Sequence, residues 1–134
     1  MGEWVMSEGV VRTHKDLAVW KEAMQLVKAV YEWTTGFPKE EMYGLTAQMR
    51  RAALSIPCNI AEGAARGSRK EFLQFLHISL GSLAELETQV FLAEDLFQLE
   101  AEPLKTQIEG LRRKLLALMK TLKAAGAAQG REHR

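Results

Sequence analysis

RRAALSIPCNIAEGAARGSRKEF, residues 50 to 72, separates apolar from polar side chains onto two faces of one helix and then breaks into a capped turn. Between Arg51 and Arg66 the polar residues Arg51, Ser55, Asn59, Glu62 and Arg66 recur every three or four positions, and Gln48 extends the row toward the N-terminus. That spacing stacks them along one stripe. Leu45, Met49, Ala52, Ile56, Ile60 and Gly63 keep the same spacing on the adjacent face, so the segment buries one side and presents a polar row to a site or to a helix interface. Pro57 lacks a backbone donor and its ring clashes with the preceding turn, which predicts a bend or interruption, with Ser55 near enough to satisfy a freed backbone group. Arg66-Gly67 ends the helix, and Ser68 with Glu71 makes a capping box that opens the next.

Beyond that turn the pattern becomes a near-strict heptad: Phe72, Leu76, Ser79, Leu83, Leu86, Val90, Ala93 and Phe97. The adjoining row, Phe75, Ile78, Ser82, Glu85, Gln89, Leu92 and Leu96, is apolar at its ends and polar in the middle. A tight turn brings this helix back along the previous one, so Glu85 is predicted to face some part of the Arg51 to Glu62 stripe, where a buried pair of Arg and carboxylate is expected, Arg51 with Glu85 or Glu62. Gln48, Arg51, Ser55, Asn59, Glu62, Ser82, Glu85 and Gln89 together read as a structural polar network at an interface.

Upstream, Asp16 is placed to cap a helix that runs to Thr35, with Gly36 as its stop and Pro38 resisting continuation. Leu17, Trp20, Met24, Val27 and Tyr31 form one apolar stripe, and Val19, Ala23, Leu26, Val30 and Trp33 form a second. One stripe suffices for a subunit core, so Val19, Leu26, Val30 and Trp33 are expected to meet a partner, joined by Leu80 and Phe91 off the heptad row. The cheapest partner is another copy of the chain. Downstream, Pro103 opens a fourth helix on which Leu104, Ile108, Leu111, Leu115, Leu118 and Leu122 repeat the core spacing.

Four helices, at about 16–35, 40–65, 68–98 and 103–124, joined by short connections, predict an all-α fold: an up-down-up-down antiparallel four-helix bundle over 16–125. Residues 1–15 read as a flexible arm and 126–134 as a flexible tail. No segment reads as a strand, a repeat or a second domain.

A chain of 134 residues with a formal net charge of +1 has no global pull toward nucleic acid or membrane, so any basic surface is local. Cys58 is the only cysteine, which precludes an intrachain disulfide and a thiolate metal cage and fits a reducing compartment. No apolar run approaches the roughly 20 residues of a membrane span, and the opening MGEWVMSEGVVRTHK lacks the pattern of a secretory signal. A cytoplasmic protein without a membrane partner is the expectation.

Catalytic constellations are absent from the pattern. His14, His77 and His133 lack the Glu-x-x-His spacing of a di-iron bundle, and no Gly-rich phosphate loop is present. Cys58 with His77 as base would be a nucleophilic pair, but nothing in the spacing positions them, and a free Cys more often behaves as a small buried residue. Glu85 and Glu87, two residues apart, point to different faces and to separate interfaces. The expectation is a non-enzyme with no metal and no cofactor.

The stretches DLAVWKEAMQLVKAVY, FPKEEMYGLTAQMRRAALSIPCNIAEGAARGSRKEFLQFLHISLGSLAELETQV and LAEDL, spanning about Asp16 to Leu96, resemble the bacterial four-helix-bundle family encoded in intervening sequences of 23S ribosomal RNA genes. The family's characteristic positions map onto Arg51, Ala52, Ser55, Ile56, Asn59, Ile60, Ala61, Glu62 and Gly63, then Phe72, Gly81, Ser82, Glu85 and Glu87. The resemblance implies a ring assembly, a homopentamer. It also implies kinship with the accessory variability protein of diversity-generating retroelements, a strongly basic partner of a reverse transcriptase that binds nucleic acid. The present chain departs from that relative in being nearly neutral.

Three functions follow as expectations. The first is RNA or DNA binding by a repeated basic surface, with Arg50, Arg66, Arg69, Lys70, Arg112, Arg113 and Lys114 as candidate phosphate contacts; a ring would multiply each weak contact by symmetry. Trp20, Tyr31, Phe72, Phe75 and Phe97 fall on core stripes, away from the basic groups, so contact with the backbone without base readout is expected. The second is a structural or adaptor ring that binds another protein, in which the same charges merely solvate turns and faces. The third, an enzyme, has the least to support it.

Overall fold

Helix α3 (Arg69–Phe97) is where the heptad holds most fully: Phe72, Leu76, Ser79, Leu83, Leu86, Val90 and Ala93 are all buried. Ser68 begins it as expected, its side chain accepting a hydrogen bond from the Glu71 amide at 3.0 Å. Gly67, at φ 78°, supplies the left-handed residue that lets the chain turn out of the preceding helix, and Gln98, at φ 55°, does the same at the end of α3.

The computed structural model describes the backbone at residues 4–6, 9–11 and 13–132, and the side chains of 13–15 and 17–127. The four helices are α1 (Ala18–Thr34), α2 (Leu45–Ala65), α3 and α4 (Glu102–Glu132). A short ribbon precedes them, β1 (Trp4–Met6) paired antiparallel with β2 (Gly9–Val11), Val5 opposite Val10. No strand is expected there from periodicity, because three-residue strands are too short for alternation to stand out. Short 3-10 turns follow at His14–Asp16 and Lys39–Glu41.

Element limits depart from the expected ones where local chemistry is decisive. The cap position of α1 is Leu17, with no side-chain hydrogen bond; Asp16 lies in the turn before it, and its side chain is outside the described residues. Helix α2 begins after Gly44 instead of near residue 40, because Lys39–Glu41 makes a separate turn. Pro57 is buried inside α2 without interrupting it. The Ser55 hydroxyl is engaged by Ser82 and Asn59 and does not serve the Ala53 carbonyl that the proline leaves open; beside the proline, Ser79 of α3 donates to the Ile56 carbonyl at 3.0 Å. Helix α4 continues to Glu132, past the expected end at 124 and through part of the expected tail, in line with the high helix propensity of its alanines.

One core joins all four helices. Helix α1 buries Val19, Ala23, Leu26 and Val30 in it, and Trp33 packs against it, donating its indole N–H to the Glu100 carbonyl at 2.9 Å. This corrects the assignment of Val19, Leu26, Val30 and Trp33 to a partner surface: of two stripes of similar strength, the neighbouring helices take this one. Trp20, Met24 and Val27 are left half-buried and Tyr31 exposed. Leu80 is half-buried and packs against the core, whereas Phe91 is 49% exposed. No helix among the described residues is long and apolar enough to cross a membrane.

Candidate nucleic-acid interface

Small residues let α2 and α3 approach closely. A Cβ on Gly63 would lie 2.6 Å from the Phe75 Cβ and 3.1 Å from the Phe72 ring, so only glycine fits there. The hydroxyls of Ser55 and Ser82 meet at 2.8 Å, and Asn59 donates through Nδ2 to both the carbonyl (2.8 Å) and the hydroxyl (2.9 Å) of Ser55. Part of the polar row is therefore satisfied inside the subunit. Gln48 is exposed, and Gln89 is buried with its Oε1 lacking a hydrogen-bond partner among the described residues.

The expected buried Arg51–Glu85 pair is not formed. Both side chains are exposed, and neither makes a hydrogen bond or ion pair among the described residues. Their stripes enter the seam at Ser55, Ser82 and the buried Gln89, while Arg51 and Glu85 themselves stay on its solvent edge. Glu62 instead pairs with Arg66 on its own helix at 3.1 Å.

Of the candidate phosphate contacts, Arg50, Arg112 and Lys114 are engaged with other helices, and Arg66 with Glu62 on its own. Arg50 closes the end of α1: its Nε donates to Thr34 Oγ1 at 3.0 Å, its Nη2 to the Tyr31 carbonyl at 3.3 Å, and its guanidinium lies 4.5 Å from the Tyr31 ring centroid. The second of these reaches a carbonyl in the last turn of α1, where a helix terminus leaves acceptors open. Arg112 is held by Glu87 of α3 at 2.6 Å and also by Glu109; the hydrogen bond to Glu87, then the charges of both carboxylates, raises its pKa above the ordinary arginine value. Lys114 pairs with Glu22 of α1. Glu87 and Glu85 thus serve different surroundings, as their spacing indicates.

Arg66, Arg69 and Lys70 remain together at the α2–α3 turn, and Arg113 is exposed on α4. Arg66 and Lys70 are exposed, and Arg69 is half-buried. The last part of α4 reaches the same place, since the Cβ position of Gly126 is 3.6 Å from the Arg69 Cδ. That brings Lys123 and Lys120, both exposed and both missed in the sequence because they lie far from the turn along the chain, toward the same end. Arg66 also lies 5.1 Å over the Phe75 ring. The expectation that aromatic residues stand apart from the basic groups is corrected here: Phe75 occupies the edge of its stripe, half-buried, with one face left for a cation.

The opposite end is acidic. There Trp33 meets Glu100, Arg50 meets Thr34, and Lys105 is held by Glu94 at 2.6 Å and by Glu102 at 3.5 Å while sitting 4.5 Å over the Phe91 ring. The bond to Glu94 dominates in raising the Lys105 pKa. Glu40, Asp95, Glu100 and Glu102 are exposed around it.

Among the described residues no group of three or more His, Cys, Asp or Glu side chains could hold a metal ion. Cys58 is exposed, not a small buried residue, and no hydrogen bond joins it to His77. An open depression of about 500 Å³ lies over Trp33, Glu32, Gly36, Glu100, Pro103 and Gln107, and none of the candidate phosphate contacts lines it.

No curated protein matches the chain. A solved structure of similar fold is that of a protein of unknown function from the S23 ribosomal protein family of Bacteroides thetaiotaomicron; it is 19% identical, with a TM-score of 0.66, over 76% of this chain and 95% of that one. At that identity the likeness shows the fold alone. The model of one family, described as 23S rRNA-intervening sequence protein, matches residues 15–123, and so covers the four helices up to the last turns of α4. The chain belongs to the 23S rRNA-intervening sequence protein family.

Proposed function

We propose that this protein is a non-enzymatic, antiparallel four-helix bundle that self-associates as a ring, a homopentamer, and binds RNA or DNA phosphates at the end carrying the α2–α3 turn. The observation that carries the reading is the separation of charge. Arg66, which shares Glu62 on its own helix, gathers with Arg69 and Lys70 at one end, toward which Lys123 and Lys120 of α4 lie one and two turns before the Gly126–Arg69 contact, while Arg50, Arg112 and Lys114 are engaged across helices. A net charge of +1 therefore conceals a basic end and an acidic one, which orients an approaching polyanion.

The up-down-up-down topology is supported by paired contacts that run in opposite senses along neighbouring helices. Ser55 meets Ser82 while Gly63 meets Phe72 and Phe75; Glu94 meets Lys105 while Glu87 meets Arg112. Ring symmetry would repeat the basic end around the axis and turn a modest cluster into a multivalent band. Contacts of this kind track the backbone and do not read bases.

A protein-binding adaptor loses part of its support, since Leu80 is half-buried against the core and Lys105 lies over the half-exposed Phe91 ring. Fluorescence anisotropy against labelled structured RNA and duplex DNA tests the proposal. Salt-sensitive binding by the wild type supports it, and no binding at low salt favours the adaptor.

A further inference from the structure

The outer side of the α2/α3 pair is a face that the fold leaves unused. It exposes Arg51 on α2 and Ile78, Glu85, Leu92 and Leu96 on α3. At about 100° per residue, the four α3 positions fall in one narrow sector turned away from the buried Leu83 and Leu86, and Arg51 lies opposite the buried Ile60. Leu92 and Leu96 are 52% and 66% exposed and Ile78 50%, a concentration of large apolar side chains that water does not favour.

The charges on this face behave differently from those elsewhere. Where opposite charges come level across other helix seams they are paired: Glu22 with Lys114, Glu87 with Arg112, Glu94 with Lys105. Arg51 and Glu85 flank the Ser55–Ser82 contact by about a turn on each helix, yet neither has an ion pair or hydrogen bond among the described residues. One unpaired charge of each sign beside three exposed aliphatic residues is a self-complementary pattern. A polyanion would meet Glu85 and apolar surface here, so this is not the phosphate-binding end.

We infer that a second copy of this chain covers the α2/α3 outer face, Arg51 of one copy pairing with Glu85 of the other, with Ile78, Leu92 and Leu96 packed around the pair. The inference rests on the self-association in the proposed function and supplies its interface. It also relocates that interface from the α1 stripe, which the core consumes. In the proposed ring the contact is directional, Arg51 of each copy meeting Glu85 of the next; a reciprocal pairing would instead close at two copies.

Light scattering coupled to size exclusion, over a range of protein concentrations, tests this on the full chain. Arg51→Glu, Glu85→Arg and Leu92→Glu are each expected to lower the subunit number, or to raise the dissociation constant at least tenfold, with helical circular dichroism unchanged. The double reversal Arg51→Glu/Glu85→Arg is expected to restore assembly. Arg51→Ala and Glu85→Ala, which introduce no repulsion, act in the same direction if a reversal disturbs folding. A wild-type monomer at every concentration overturns the self-association itself. A wild-type oligomer indifferent to all these variants overturns only the choice of face, and a double reversal that stays dissociated overturns the Arg51–Glu85 pairing.

Discussion

Gly63 of α2 faces Phe75 of α3 so closely that a single added methyl carbon would stand 2.6 Å from the Phe75 Cβ. The contact sets the spacing of the helix pair that positions both the α2–α3 turn and the outer face. A glycine in a helix interior costs about 1 kcal/mol relative to alanine, so its presence here reflects space and not propensity.

Gly63→Ala is therefore expected to lower the melting temperature, because overpacking of about 1–3 kcal/mol outweighs the propensity gain. Gly81→Ala in α3, where nothing lies within 4 Å of the added carbon, is the control and is expected to raise stability by up to about 1 kcal/mol. Urea denaturation of the two variants measures both; equal and stabilising effects would show that the helices are not in close contact at Gly63.

Arg50 joins α1 to α2 through Thr34, the Tyr31 carbonyl and the Tyr31 ring. Arg50→Ala is expected to cost roughly 1–2 kcal/mol of stability, in the range of hydrogen bonds made by charged groups. Nucleic-acid affinity should stay unchanged within twofold. A drop in affinity with stability preserved would return Arg50 to the phosphate contacts.

Asn59 gives its Nδ2 donors to Ser55 within the subunit. Asn59→Ala should cost about 0.5–1.5 kcal/mol in chemical denaturation while the oligomer mass stays that of the wild type. A change in mass at full helicity would make Asn59 an intersubunit group.

Lys105 has its pKa raised above the ordinary 10.5, chiefly by the hydrogen bond to Glu94. A raised folded value means the folded state holds the proton more tightly. The stabilisation is complete below the ordinary value and is lost as pH rises through the folded one. The melting-temperature gap between wild type and Lys105→Met should thus be constant across neutral pH and close in strongly alkaline buffer; a gap that persists there would point to packing on Phe91 instead.

Much of this fold was legible because periodicity and capping act locally. The α3 heptad and the Ser68 cap needed no knowledge of neighbours, and both stand as read. What failed required tertiary information. Two equal stripes on α1 say nothing about which one a neighbouring helix meets, so spacing alone cannot rank Leu26, which is buried, against Val27, which is only half-buried. Arg50 and Arg112 look like free cations until the Tyr31 carbonyl and Glu87 are placed beside them. Lys120 and Lys123 lie toward the α2–α3 turn only because α4 folds back beside it, Gly126 reaching Arg69, and nothing in their own spacing says so.

The most direct measurement is anisotropy of the purified full chain with structured RNA and duplex DNA across a salt series, for the wild type and for Arg66→Ala/Arg69→Ala/Lys70→Ala. The account predicts that log affinity falls linearly with log salt for the wild type, at roughly 0.7 to 0.9 per phosphate neutralised, and that the triple variant binds more weakly with a shallower slope. A triple variant with the same affinity and slope as the wild type, or a wild type that fails to bind at low salt, would contradict it.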